Sequence, residues 1–142
     1  MDLDDEHRCW RQVHPSLLEG EFAKLDAFIP TTKDKRQLSV GHSSKATAHA
    51  CFDDYVTRLR SIGVAQFAPS DIAEAATREG VAVSLMDDSA LPGRPAWHCY
   101  VDYAQIEARA KRKAVAQHLW LAARSAGWAH LPSPAIETIG SG

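Results

Sequence analysis

The sequence contains no run of about eighteen apolar residues, the length that a helix needs to cross a membrane, so we expect no membrane association. The first ten residues, MDLDDEHRCW, are acidic and hold no apolar segment, which predicts neither a secretory signal nor a transit peptide. There are three widely spaced cysteines, Cys9, Cys51 and Cys99, and no Cys-x-x-Cys pair. This pattern does not favour a disulfide framework, so we expect a protein of the reducing cytoplasm.

Several motifs of known chemistries are also missing. Gly-x-Ser-x-Gly, Walker-type and Gly-x-Gly-x-x-Gly sequences do not occur, which weakens hydrolase, P-loop and Rossmann interpretations. There is no His-Glu-x-x-His motif, and His49 and Cys51 diverge if they lie two apart on a helix, so we expect no metal and no cofactor. The formal net charge is −2, without the basic excess of a generic nucleic-acid binder, so nucleic acid is not an expected partner.

The composition is typical of one globular domain, with 142 residues, of which 45% are hydrophobic and 24% charged. We expect residues 1–9 to form an acidic arm, residues 10–128 the domain, and residues 129–142 a tail. The tail carries Ile136 and Ile139, through which it can dock on the domain.

Local patterns predict strand, strand, helix, strand, helix, strand, strand, helix in chain order. Ser43 and Ser44 are placed as N-caps of a first helix that Gly63 ends. Capping-box spacings predict a second helix near Asp71 and a last helix over 103–126. The predicted strands are 10–14, 38–40, 64–68, 81–86 and 96–101. We therefore expect a small single α/β or α+β domain, with a mixed sheet of about four to five short strands covered by three helices, and the central helices could bridge parallel strands.

The stretch PAWHCYVDY, residues 95–103, gives the clearest strand and one catalytic candidate. Alternation predicts Trp97, Cys99 and Val101 in the core, with His98 facing solvent or a second layer. Within a strand His98 and Asp102 would be about 13 Å apart, too far for a direct pair. His98 is thus either part of a polar strand face or a catalytic residue.

A second candidate site lies in WRQVHP and FIPTTKDKR. Arginine and lysine suit anionic ligands, and histidine can transfer protons near neutral pH. The alternative is a solvated turn beside a strand that ends at His14. The ligand-binding candidates are Arg11, Gln12, His14, Lys33 and Lys35, and the catalytic candidates here are His14 and Asp34.

The last predicted helix carries the basic run RAKRK, residues 109–113, followed by an apolar half. Leu119, Trp120 and Leu121 point in three directions, so one core-facing stripe cannot bury all three. Either the tail or a protein partner covers the remainder, and aromatic anchors are frequent at interfaces. The basic run is either a solvated face or a surface for an acidic partner. The partner-binding candidates are Leu119, Trp120, Leu121, Arg109 and Lys113.

The strings WRQVHP (10–15), AFIPTTKD (27–34) and LSV (38–40) resemble a group of small bacterial proteins that share the pattern W-R-Q-x-H-P, F-x-P-T-x-K-D, L-S-V. The resemblance covers roughly the first third of the chain. It implies a bacterial source and directs attention to residues 11–40. No activity is established for that group, so it implies no role for any residue.

Two functions follow as hypotheses. The first is a non-catalytic accessory or interaction protein with a protein partner, in a bacterial multi-protein system such as defence, toxin–antitoxin or a conjugation-like pathway. The second is a small enzyme or binder acting on a phosphate-bearing, nucleotide-type ligand, with transfer of ADP-ribose as one conceivable chemistry. In the second, Arg11, Lys33 and Lys35 bind anionic oxygens while His14 orients the ligand or carries a proton.

Overall fold

Residues 7–57 and 59–132 are described in the computed structural model of the chain, which has a five-stranded sheet, a two-stranded sheet and three α-helices. This confirms a small single domain of the α+β class. The strands are β1 (Cys9–Val13), β2 (Leu18–Glu19), β3 (Phe22–Ala23), β4 (Gln37–His42), β5 (Gly63–Phe67), β6 (Ser84–Asp87) and β7 (His98–Asp102). The helices are α1 (Ala48–Val56), α2 (Pro69–Glu79) and α3 (Arg109–Ala126).

The larger sheet has the strand order β5-β1-β4-β7-β6. Every pairing in it, among the described residues, is antiparallel, so the expected mixed sheet with parallel neighbours is wrong. The sheet is antiparallel because neither helical connection joins two strands that are neighbours in the sheet. The connection through α1 carries the chain from β4 past β1, so β4 and β5 both pair with β1 and not with each other. The connection through α2 then carries the chain from one edge strand, β5, to the other, β6.

One face of this sheet holds the hydrophobic core. Buried side chains of alternate strand residues, such as Val40, Phe67 and Val101, pack there against Ile72 of α2 and Leu119 of α3. This packing is the expected consequence of period-two alternation on strands facing apolar helix stripes.

The opposite face of the sheet carries α1 on part of its area. Trp10 of β1 donates from Nε1 to the Ala46 carbonyl, 2.8 Å away, just ahead of α1. A methyl group on Gly41 would lie 2.9 Å from Cys51 Sγ and 3.1 Å from Trp97 Cε3, so only glycine fits there. Contrary to the alternation prediction, Trp97 therefore lies on this second face, because it precedes β7 and is not bound by the alternation of that strand.

Helices α1 and α3 begin later than the sequence predicts, whereas α2 begins at Pro69, ahead of Asp71. The first helix ends at Val56, and Gly63, predicted to end it, begins β5. Thr47, not Ser43 or Ser44, caps α1, since its hydroxyl accepts from the backbone N–H of Ala50. The last helix starts at Arg109, because Tyr103 is instead buried with its hydroxyl donating to the Phe28 carbonyl over 2.8 Å. Gly80 ends α2 in the left-handed conformation, as predicted.

The predicted arm and tail lie mostly outside the described residues, including Ile136 and Ile139. Cys9, expected in the arm, is buried in β1. His130, just before the end of the described chain, pairs with Val64 at the edge of β5, where the Val64 N–H donates to its carbonyl over 2.8 Å. No helix of the described ranges is long and apolar enough to cross a membrane.

Candidate active site

A split between β1 and β4 is the first feature of the site. The two strands pair only at Cys9 and Trp10, and beyond that point they diverge. The guanidinium of Arg11 fills the gap, with Nη1 donating to the Ser39 carbonyl at 2.9 Å and Nε to the Ala27 carbonyl at 2.7 Å. Burial lowers the pKa of Arg11 from its usual value. Arg11 thus satisfies one carbonyl of β4, at the point where the strands separate, and one carbonyl of the 3-10 helix Leu25–Phe28.

A cleft of about 1200 Å³ opens at this split. It is large enough for a ligand of nucleotide size. Its lining has more positive than negative charge, although the whole chain has a net charge of −2. The charged residues of the lining are Arg11, Arg36, Arg94, Arg109, Arg112, Lys113, Asp26 and Asp34. Such a concentration of guanidinium groups favours an anionic ligand.

A chain of three side chains reaches this cleft from the interior. Asp88 Oδ1 lies 2.6 Å from His98 Nδ1, and His98 Nε2 lies 3.2 Å from Ser39 Oγ. Asp88 and His98 are 7% exposed, whereas Ser39 is exposed to solvent. The acid and the imidazole are therefore both buried, and the hydroxyl faces the cleft.

The sheet register places these three residues together. His98 lies opposite Gly41 and Ser39 opposite Tyr100, so His98 and Ser39 are diagonal neighbours on the second face. Asp87 lies opposite Cys99, which places the next residue, Asp88, beside His98. Since all three positions follow from β4–β7–β6 pairing, a rigid part of the fold holds them.

The protonation pattern follows from what each group can donate. A carboxylate only accepts, so the proton at the Asp88 contact belongs to His98 Nδ1. In the neutral imidazole with its proton on Nδ1, His98 Nε2 is an acceptor, and the Ser39 hydroxyl can donate to it. The second Asp88 oxygen, Oδ2, pairs with Arg94 Nε at 3.1 Å, although that N–H is not aimed well enough for a hydrogen bond. This arrangement can remove a proton from Ser39 and stabilise the resulting imidazolium, as in Ser-His-Asp catalysis.

A strained turn borders the cleft just before β4. Lys35 and Arg36 both have φ of 58°, and Gln37 N–H donates to the Asp34 carbonyl at 3.0 Å. Positive φ at both central residues defines a type I′ turn, which normally uses Asn-Gly. Each L-residue there costs about 1–2 kcal/mol. The turn places Arg36 in the cleft lining, and strain of this kind is concentrated at functional sites.

The amino-terminal turns of α3 complete the basic wall. Arg112 donates to the carbonyls of Ile106 at 2.6 Å and Glu107 at 2.9 Å, so it braces the start of the helix. The side chains of Arg36, Arg109 and Lys113 have no hydrogen bond or ion pair to any part of the described chain. These three cations are therefore available to an anionic ligand.

The structure brings some of the predicted ligand-binding residues into the cleft. Arg11 and Gln12 line it, while Lys33 and Lys35 do not. Gln12 is 8% exposed, with Oε1 accepting from Ser61 Oγ at 2.8 Å and Nε2 unpartnered within the ranges that the structure covers. Of the predicted ligand-binding residues, the cleft lining therefore includes two on β1 and neither of the two lysines.

The three predicted catalytic candidates lie in different places. His14 is outside the cleft lining and caps the short 3-10 helix Pro15–Leu17, where its Nδ1 accepts from Ser16 N. Asp34 lines the cleft, but its Oδ2 accepts from the Thr31 hydroxyl within the turn. Of the three, His98 alone has a carboxylate on one ring nitrogen and a hydroxyl on the other.

Sequence reasoning missed Ser39, Asp88 and Arg36. Ser39 lies in the LSV string, and Asp88 directly follows β6, before the 89–97 loop. Reading 84–102 as a hairpin would have placed an acidic residue of the Asp87–Asp88 pair near His98, since opposite residues of paired strands are neighbours. The left-handed backbone of Arg36 left no signal, because Lys-Arg is not a turn sequence for φ > 0.

The predicted partner surface on α3 is largely used inside the domain. Leu119 is fully buried in the core. Trp120 donates from Nε1 to the Ala23 carbonyl at 2.9 Å, with Arg124 over its ring. Leu121 is 51% exposed. The β2–β3 hairpin thus covers the side of the helix that carries Trp120, whereas Leu121 is exposed and a partner contact through it stays a prediction.

Within the described residues no group of three or more His, Cys, Asp or Glu side chains is placed to hold a metal ion. Comparison with protein-family models, with curated proteins and with solved structures finds no match to this chain. The geometry of the cleft is therefore what a functional assignment can use.

Proposed function

We propose that the protein is a small enzyme that acts on a phosphate-bearing ligand bound in the cleft, with Ser39 as nucleophile and His98 as general acid–base. The observation that carries this proposal is the hydrogen-bonded chain from buried Asp88 through His98 to exposed Ser39, inside a cleft of mainly basic charge. Either feature alone is common, but together they place a proton acceptor and a nucleophile where an anion binds.

The reaction would proceed by transfer of the phosphoryl group to Ser39. Ser39 Oγ attacks phosphorus and the bond from phosphorus to the leaving oxygen breaks, while His98 Nε2 takes the serine proton and returns it to the leaving oxygen. Water then attacks the phosphorus of the phosphoserine and the bond from phosphorus to Ser39 Oγ breaks. His98 takes a proton from that water and returns it to Ser39 Oγ, which restores the hydroxyl and releases the phosphate. Asp88 holds the imidazole orientation throughout, and the arginines offset the charge of the transferred group.

The accessory-protein hypothesis remains a prediction without a specific observation in its favour. It depended on apolar side chains of the last helix, and Leu119 and Trp120 are satisfied within the domain. As part of the proposal we place the enzyme in the cytoplasm, supported by Cys51 and Cys99, which are buried thiols outside any disulfide. A reducing compartment keeps such thiols unpaired.

The test is hydrolysis of a panel of phosphate mono- and diesters, including p-nitrophenyl phosphate and nucleotides, by the purified chain. Ser39→Ala and His98→Ala should each lower kcat/KM by about a thousandfold or more. Ser39 is exposed, so Ser39→Ala should keep the melting temperature. Because His98 is buried, circular dichroism must show that His98→Ala is folded.

His14→Ala is the matched control, since it removes a histidine that lies outside the cleft lining. It should keep full activity. Turnover that survives Ser39→Ala and His98→Ala, or that is lost in His14→Ala instead, would overturn the assignment.

A further inference from the structure

We infer that the ligand is a nucleoside di- or triphosphate, oriented with its base against Trp97 and its terminal phosphates at Arg36, Arg109 and Lys113. This inference rests on the proposed function for the identity of the cleft as the active site. It adds a direction to the cleft, because the cations without a partner in the described chain and the Trp97 ring lie at opposite ends of β4.

The cationic end lies where β4 begins. Arg36 immediately precedes the strand, and its carbonyl accepts from the backbone N–H of Tyr103 at 3.0 Å. Tyr103 follows the end of β7 and leads within six residues to Arg109, so the first turns of α3 share this end. Arg36, Arg109 and Lys113 line the cleft. They are also the lining cations with no internal partner among the residues described, so they can bind phosphate oxygens without breaking an existing bond.

The aromatic end lies where β4 finishes. The Trp97 ring packs over Gly41, with Cε3 at 3.1 Å from the position of a Cβ. Its Nε1 donates to Asp54 Oδ2 of α1 at 2.7 Å, which fixes the ring plane. Tyr55 of the same helix also lines the cleft. Partly exposed aromatic rings of fixed orientation provide a stacking surface for a flat base.

The distance between the two ends fits this class of ligand. From Arg36 to Gly41 is five residues of strand, or about 16 Å at 3.3 Å per residue. A nucleoside with two or three phosphates in an extended chain spans that length, whereas inorganic phosphate or a free base does not. Ser39 lies between the two ends, so the inner phosphate of the chain would be next to its hydroxyl and to His98.

The experiment is calorimetric titration of the wild-type chain and of Ser39→Ala, at fixed ionic strength, with adenosine, AMP, ADP, ATP, GTP and tripolyphosphate. We expect affinity to rise by about tenfold or more from nucleoside to triphosphate, since each added phosphate can bind the side chains of Arg36, Arg109 and Lys113, which are unpartnered among the described residues. Arg36→Gln and Arg109→Gln should each weaken ATP by about tenfold and leave adenosine unchanged.

Trp97→Ala should weaken all nucleotides by one common factor, about tenfold to a hundredfold, and leave tripolyphosphate unchanged. Trp97→Phe should recover most of that loss. Lys33→Gln, which removes a charge outside the lining, is the matched control and should change nothing.

Equal affinity for ATP and tripolyphosphate, with no effect of Trp97→Ala, would overturn the inference. So would affinity that does not depend on the number of phosphates. Nucleotide binding of the expected pattern without turnover would leave the orientation standing and refute catalysis by Ser39. Turnover of simple phosphate esters without nucleotide binding would support catalysis and refute the orientation.

Discussion

The turn at residues 34–37 makes the sharpest quantitative prediction. Lys35 and Arg36 are both left-handed, with φ of 58°, and relief of that conformation by glycine is worth about 1–2 kcal/mol at each position. Glycine also has more conformational freedom in the unfolded chain, and this entropy offsets about 0.5–1 kcal/mol of the strain relief at each position. Lys35→Gly and Arg36→Gly should therefore each raise the free energy of unfolding by about 0.5–1 kcal/mol. The double variant should gain about 1–2 kcal/mol, or about 3–8 °C in melting temperature for a domain of this size.

Urea and thermal unfolding of the single and double variants would measure this gain. Lys33→Gly is the control, because it removes a lysine from the same loop at a residue that is not left-handed. Its stability should stay the same or fall by up to about 1 kcal/mol. Ligand affinity should fall in Arg36→Gly and not in Lys35→Gly, since only Arg36 lines the cleft.

The result that would refute this reasoning is a melting temperature for Arg36→Gly at or below that of Lys33→Gly. The turn would then hold no strain that glycine can release. A more stable and weaker-binding Arg36→Gly would show instead that the fold gives up stability to place a cation in the cleft, a frequent exchange at functional sites.

Three further outcomes follow from the packing. Gly41→Ala should lower the free energy of unfolding by about 1–3 kcal/mol, because the added methyl group would lie 2.9 Å from Cys51 Sγ. In urea unfolding, the double variant Gly41→Ala/Cys51→Ala should lose less stability than the sum of the two single variants. Burial raises the pKa of Cys51 to about 12 and that of Cys99 to about 11. Alkylation by iodoacetamide at pH 8, followed by mass spectrometry, should therefore be roughly a thousandfold slower for Cys51 and a hundredfold slower for Cys99 than for an ordinary thiol. Fast alkylation of the folded chain would contradict that burial. In thermal unfolding, Trp120→Ala should lower the free energy of unfolding by about 2–3 kcal/mol, whereas Leu121→Ala should change it by no more than about 0.5 kcal/mol. A larger loss for Leu121→Ala than for Trp120→Ala would contradict the packing of α3 on the β2–β3 hairpin.

Local signals explain what the sequence predicted correctly. The alternation in 98–102 identified a strand with Cys99 and Val101 in the core, because side chains of a strand alternate whatever its neighbours are. Gly80 ended α2 because only glycine adopts the left-handed C-cap without cost. Helix starts were less accurate, since Ser43 and Thr47 are equally good caps locally and the packing of Trp10 and Gly41 decides between them.

The sequence by itself determined the class of the fold, and it nominated His98, Arg11 and Gln12, which stay candidates and which the structure places in the cleft lining. Only the tertiary structure decided that His98 meets Asp88 and Ser39, and that Arg36 and Arg109 line the same cleft. The physical reason is that periodicity and capping act over a few residues, whereas strand order results from the burial of a whole sheet face. Pairing of β4 with β7 brings residues 39 and 98 together across 59 positions of chain, a contact that no local pattern encodes.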